Sequence, residues 1–200
     1  MWAGLRLVLG GATLIAIGWQ LGIHVRLGLS VVNFFSYFTN LSNLFAASVF
    51  ILTARSLVSN RETVALEDQT RGLSTLNMAI TGIVFTLLLR NVDLGALLPW
   101  VNVLLHYVMP CAVILDWLLQ PPKTTLRVRH LVRCLIFPAL YLAYVLVRGA
   151  AINWYPYPFL DPANVGGYGG VSLYAVGIAV AFLGVGGVLL GLGNRLKSEA

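Results

Sequence analysis

Six apolar stretches, each close to the length a helix needs to cross a bilayer, run through this sequence: Leu5–Ile23, Val31–Thr53, Leu73–Leu89, Leu97–Leu119, His130–Val147 and Tyr168–Leu192. About 20 mostly apolar residues carry a helix through a hydrocarbon core roughly 30 Å thick. Lipid offers no partner to main-chain N–H and C=O groups, so each stretch must pair its own, as a helix does. The expectation is an all-α polytopic membrane protein with six transmembrane helices, a single membrane domain over residues 1–200. Composition agrees: 58% of the residues are hydrophobic and 10% charged, against about 25% charged in an ordinary globular domain. A cytosolic enzyme, a secreted disulfide scaffold and a disordered regulator are excluded on that ground.

The connections are short and well marked. Gln120-Pro121-Pro122-Lys123 stops the fourth span, and Tyr155-Pro156-Tyr157-Pro158 forbids helix before the sixth. Gly22-Ile23-His24-Val25-Arg26 after the first span lacks a small-residue cleavage pattern, so that span is read as retained and not as a signal peptide. The segment from Arg55 to Gly72, with Arg61, Glu62, Glu67, Asp68 and Arg71, reads as a solvated cytoplasmic link. Cys111 and Cys134 both fall in apolar stretches, which suggests neither a disulfide framework nor a zinc site. No phosphate-binding loop or metal cluster is apparent, so no metal and no cofactor are expected.

Charge sets the orientation. Arg6, Arg55, Arg61, Arg71, Lys123, Arg127, Arg129, Arg133, Arg195 and Lys197 lie on one side, ten of the thirteen basic residues; Arg26, Arg90 and Arg148 lie on the other. The positive-inside rule then puts both termini in the cytoplasm, in what we read as a bacterial plasma membrane. The net charge of +6 therefore orients the chain in lipid, and no nucleic acid partner is expected. The two halves show no matching polar pattern of the kind repeat-built transporters carry. Gly177, Gly184 and Gly191 recur every seven residues, and Gly187-x-x-x-Gly191 follows the small-xxx-small pattern, so this face of the sixth span is expected to pack against another helix.

Function must come from polar groups placed where lipid excludes them. The second span holds the densest set. Asn33, Ser36, Asn40 and Asn43 recur at three and four residues, with Thr39 beside them, and on a continuous helix they share one face. The fourth span adds Asn102 and His106 one turn apart, followed by Pro110, which cannot donate to the His106 carbonyl. Asp116 lies ten residues beyond His106, about 15 Å along the axis, too far to orient it. Counted from the outer surface at about 1.5 Å per residue, Thr39 is roughly 12 Å deep and His106 roughly 14 Å. The two share a level near the midplane.

A threonine hydroxyl becomes a nucleophile when a base takes its proton, and histidine, with a free pKa of about 6.5, is suited to that. Asn40 or Asn43 could donate to a developing oxyanion. Ser36, Asn102 and Asn91 are further candidates for substrate binding. The acyl-transfer reading requires a lipid-soluble substrate. A structural reading is also open, in which the threonine bonds its own main chain and the histidine a neighbouring helix.

Tyr37-Phe38-Thr39-Asn40-Leu41 in the second span, together with Leu105-His106-x-x-x-Pro110 in the fourth, resembles the family of androgen-induced and androgen-dependent TFPI-regulating proteins. Trp154-Tyr155-Pro156-Tyr157-Pro158-Phe159-Leu160-Asp161 is similar to its prokaryotic branch. The resemblance implies a six-span threonine hydrolase that cleaves fatty acid esters of hydroxy fatty acids, with Thr39 as nucleophile and His106 as its partner. Asn40-Leu41-Ser42-Asn43 departs from the animal pattern, which bears on the substrate more than on the chemistry. The implied partners are a fatty acid ester and the bilayer; the sequence does not set the oligomeric state.

Other polar residues receive simpler readings. Arg90, Asn91 and Asp93 could close the mouth of the site or neutralise a carboxylate headgroup, with an interfacial ion pair favoured; Trp154, Tyr155 and Tyr157 could cap a lipid entrance, with interfacial anchoring favoured. Tyr141, Tyr144 and Arg148 share a face of the fifth span, Arg148 reaching outward to water. Two other functions compete. A small-solute transporter or channel would use the asparagine-rich face of the second span as its path. A haem-binding electron carrier would need two deep histidines, whereas His24 and His130 lie at span ends.

Overall fold

The computed structural model describes residues 1–59, 64–93 and 95–197. Among them there is no strand, and the chain is built from helices. These are α1 (Trp2–Arg26), α2 (Val31–Phe35), α3 (Phe38–Val58), α4 (Ala65–Val84), α5 (Pro99–Val103), α6 (Met109–Leu119), α7 (Val128–Cys134), α8 (Ile136–Ile152) and α9 (Tyr168–Leu196). Six of the resulting segments are long and apolar enough to cross a membrane: Trp2–Arg26, Phe38–Val58, Ala65–Leu89, Pro99–Leu119, Val128–Ile152 and Tyr168–Leu196. The protein is an integral membrane protein. Helix α4 is its centre, packed against α3, α6 and α9, while α1 lies along α3. Leu, Ile and Val side chains exposed on the outer helix faces, among them Ile15, Leu87, Leu140 and Val180, suit contact with lipid tails.

The second span is not one helix from Val31. It is broken at Ser36-Tyr37, where Tyr37 is extended (φ −79°, ψ 124°), so the stripe expected from Asn33 to Asn43 does not lie on one continuous face. Periodicity alone misses the break because no proline or glycine marks it. Side chains hold it by satisfying main-chain groups that a continuous helix would pair. Asn40 Nδ2 donates to the Phe34 carbonyl at 2.7 Å, and Tyr141 Oη donates to the Ser36 carbonyl at 2.8 Å. Ser36 Oγ donates to the Val32 carbonyl and lies 2.8 Å from Tyr144 Oη. Arg148 does not simply reach outward: it donates to Asn33 Oδ1 at 2.6 Å and sits over the Trp154 ring. The shared face of Tyr141, Tyr144 and Arg148 is thus a clasp on α2.

Two other spans contain π-helical turns, at Phe85–Leu89 and Leu104–Val108. The second surrounds His106 and precedes Pro110, which removes one i→i+4 donor. Turns of this kind recur at functional sites.

At the opposite end of the bundle the link expected to be solvated is partly buried. Arg61 and Glu62 lie outside the described residues. Helix α4 already starts at Ala65, and Asp68 and Arg71 are buried on it. Arg6 Nε and Nη2 bond the two carboxylate oxygens of Asp116 at 2.7 and 3.0 Å. Arg71 Nη2 bonds Asp116 Oδ2 at 3.1 Å, and Asp68 Oδ2 accepts from the Thr124 main chain and hydroxyl, both at 2.8 Å. The four formal charges balance within this cluster. A buried charge requires such pairing, and sequence position alone does not reveal it.

The glycine face of the sixth span also departs from expectation. A Cβ at Gly177, Gly184, Gly187 or Gly191 would meet open space. Close packing instead uses Gly186, where a Cβ would be 2.2 Å from Leu131, and Gly193, against Trp117 and Pro122. Nor do Arg90 and Asp93 form an ion pair among the described residues; Asp93 Oδ1 accepts the Gly95 N–H at 2.8 Å.

Candidate functional site

Breaking the second span places Thr39 in the first turn of α3, where its N–H has no partner within the helix and the helix dipole is positive. Beside it lies a cavity of about 350 Å³ between α3 and α4 on one side and α8 and α9 on the other. Its wall is almost wholly apolar, with Ile80, Val84, Leu142, Phe159, Ile178 and Phe182 among its residues. Four hydroxyl side chains interrupt it: Thr39, Thr81, Tyr141 and Tyr157. A largely apolar pocket with a few convergent polar groups is the usual form of a ligand site.

Tyr157 was expected at the membrane interface and instead is buried against Thr39. Its Oη accepts the Thr39 N–H at 3.2 Å and lies 3.4 Å from Thr39 Oγ1. Proline on both sides keeps this segment out of a helix, and Tyr157 is extended (φ −135°, ψ 139°). Its ring stacks on Phe159 with centroids 5.2 Å apart and meets Tyr37 edge-on at 5.7 Å. Burial raises its pKa to about 12, so the phenol stays protonated at neutral pH. Sequence reasoning named Tyr157 only as an interfacial aromatic and missed its contact with Thr39; the one available signal was Pro-Tyr-Pro, which presents a ring on a stiff extended stretch of chain.

His106 is buried but is not part of the cavity wall. Its Nδ1 lies 3.2 Å from the Asn102 carbonyl oxygen, and its ring stacks on Phe85 with centroids 3.9 Å apart. No hydrogen bond joins His106 to Thr39 directly. Their helices do touch: Asn43 Nδ2 donates to the carbonyls of both Thr39 (2.9 Å) and Leu105 (3.1 Å). Gly82 permits the approach of α4 here, since a Cβ would fall 3.2 Å from Pro110 and 3.8 Å from the His106 carbonyl oxygen.

The remaining candidates divide. Asn40 and Asn43 are buried near Thr39, each with an amide donor on a main-chain carbonyl. Ser36 belongs to the break beneath the clasp. Asn43 Oδ1 and Asn102 Oδ1 are buried acceptors without a donor among the described residues. Asn91 is exposed and does not line the cavity. Among the described residues no group of three His, Cys, Asp or Glu gathers as a metal site would require.

Fold and site together define a six-helix integral membrane protein with a hydroxyl at a helix start, opening on an apolar cavity within the bundle. The FAR-17a/AIG1-like protein family matches residues 33–191, and the chain belongs to that family, the androgen-induced proteins. No curated protein and no solved structure matches it.

Proposed function

We propose that the protein is an intramembrane hydrolase of lipid esters, similar to those that cleave fatty acid esters of hydroxy fatty acids, with Thr39 as nucleophile and His106 as base. The observation that carries this reading is the Thr39 hydroxyl at the wall of an apolar cavity of about 350 Å³. A long acyl chain would fill the apolar part and bring its ester to Thr39. Oγ1 then attacks the carbonyl carbon while its proton passes to His106. With no direct bond between the two, the proton travels through one water, a geometry that general-base catalysis allows. Asn43 Oδ1, a buried acceptor on the side chain that bridges the Thr39 and Leu105 carbonyls, is suited to hold that water. The positive end of α3 favours the negative charge that develops on the carbonyl oxygen. His106 returns the proton to the leaving alkoxide, and water releases the acyl group from Thr39 as a carboxylic acid.

The solute-path alternative has less support, because Asn40 and Asn43 bond main-chain carbonyls and α3 gives the cavity Phe38 and Thr39. Cytoplasmic termini in a bacterial plasma membrane belong to the same proposal. The test is turnover of long-chain esters by the purified protein in lipid nanodiscs, with labelling by a long-chain fluorophosphonate. Thr39→Ala is expected to abolish both, and His106→Ala to lower kcat by about 10²–10⁴-fold, the range for loss of a general base. Full turnover by Thr39→Ala would overturn the reading.

A further inference from the structure

The cavity wall carries four hydroxyls, and their protons are not equally available. Tyr141 donates to the Ser36 carbonyl at 2.8 Å, where it holds the broken span. Thr81 donates to the Asn77 carbonyl at 2.9 Å, one turn back on its own helix. Thr39 is the attacking group of the proposed reaction. That leaves Tyr157. Its oxygen accepts the Thr39 N–H and therefore keeps its own proton to donate, and it lies 3.4 Å from Thr39 Oγ1 with no main-chain carbonyl among its partners.

We infer that Tyr157 is a catalytic residue: its hydroxyl donates a hydrogen bond to the carbonyl oxygen of the ester that Thr39 attacks. The inference rests on reading the cavity as an ester site. A carbonyl whose carbon approaches Oγ1 brings its oxygen into the range of groups bonded around Oγ1, and Tyr157 is the donor among them. The Thr39 N–H that ends on Tyr157 Oη fixes the phenol oxygen from behind and polarises its O–H toward the substrate. A donor held in place before the reaction, in a site shielded from water, stabilises developing charge without reorganising. The stacked Phe159 ring and the edge-on Tyr37 ring supply the fixing. The loop between the fifth and sixth spans thus supplies a reacting group as well as a connection.

The test separates this claim from the hydrolase reading. Turnover of a long-chain ester by wild type and Thr39→Ala examines the reading itself. Tyr157→Phe keeps the ring and removes the hydroxyl; its kcat is expected to fall about 10²–10³-fold, the range for one lost oxyanion donor, with KM little changed. A structural role could also lower kcat, so the deciding measurement is spectroscopic. Methyl palmitate labelled with carbon-13 at the carbonyl is bound to the Thr39→Ala protein, and its C=O stretch is recorded by isotope-edited infrared spectroscopy. The stretch is expected at lower frequency than in the Thr39→Ala/Tyr157→Phe protein. If the double variant does not fold, 3,5-difluorotyrosine at position 157, a stronger donor, is expected to lower the frequency further. An unchanged carbonyl frequency, or no binding of the ester by Thr39→Ala, overturns the inference. A carbonyl shift without wild-type turnover would sink the hydrolase reading and leave the Tyr157 hydrogen bond standing.

Discussion

Asp116 sits between two buried guanidiniums, and its removal would leave Arg6 without a carboxylate and Arg71 with Asp68 alone, at 3.8 Å. Breaking a buried pair from one side costs about 3–5 kcal/mol, because the remaining charge is uncompensated. Asp116→Ala is therefore expected to lower the unfolding temperature sharply in detergent. An apolar replacement of similar volume removes that penalty, so Arg6→Met combined with Asp116→Leu is expected to recover part of the loss. A double variant as unstable as Asp116→Ala would show that the attraction itself carries the stability. Arg71 and Asp68 share this cluster, so effects at the four positions should not add.

At the scale of the element, the broken second span is the feature on which the site depends. An unbroken helix would leave Thr39 bonded to its own main chain; the break exposes a helix start at the cavity. Asn40 holds the Phe34 carbonyl, and Asn40→Ala leaves that acceptor unpaired at a cost of about 1–3 kcal/mol. The expected result is a lower melting temperature together with a loss of Thr39 labelling, though Asn40 need not touch the substrate. Unchanged labelling would show that the break stands without it. Glycines give a paired test on α8 and α9. A Cβ at Gly149 would lie 2.0 Å from the Tyr155 ring, so Gly149→Ala is expected to cost about 1–3 kcal/mol through overpacking. Gly184→Ala, facing open space, is expected to stay within about 0.5 kcal/mol of wild type. Equal effects on thermal unfolding would contradict the assigned faces.

For the whole molecule, the proposed orientation has both termini on the same side of six spans, in the cytoplasm, as the positive-inside rule favours for the basic residues. A fluorescent reporter fused to the C-terminus is expected to fold and fluoresce, and a phosphatase that needs an oxidising compartment to remain inactive. The reverse pattern would invert the proposed orientation. It would also put the Arg6–Asp116 cluster outside and the Thr39 cavity in the cytoplasmic half.

Span number and the all-helical architecture follow from the order of residues, because a bilayer imposes one length and forbids unpaired main chain. The depth counted for Thr39 holds only for a helix continuous from Val31, whereas the spanning helix starts at Phe38. The clustering of Thr39 with Asn40 and Asn43 was legible for the same reason: polar groups stand out where lipid excludes them. What Tyr157 touches was not legible, since a ring 118 positions from Thr39 along the chain reaches it only when the loop folds inward. The break at Ser36-Tyr37 was hidden as well, because it is held by Tyr141 and Asn40 and not by any helix-breaking residue of its own. Asp68 and Arg71 look solvated in sequence and are buried in fact, because Asp116 on α6 pairs with Arg71 and Thr124, in the segment after α6, donates to Asp68. Local composition therefore fixes which segments enter the membrane. Pairing between distant side chains decides where a helix may stop inside it, and so where a reactive hydroxyl can stand.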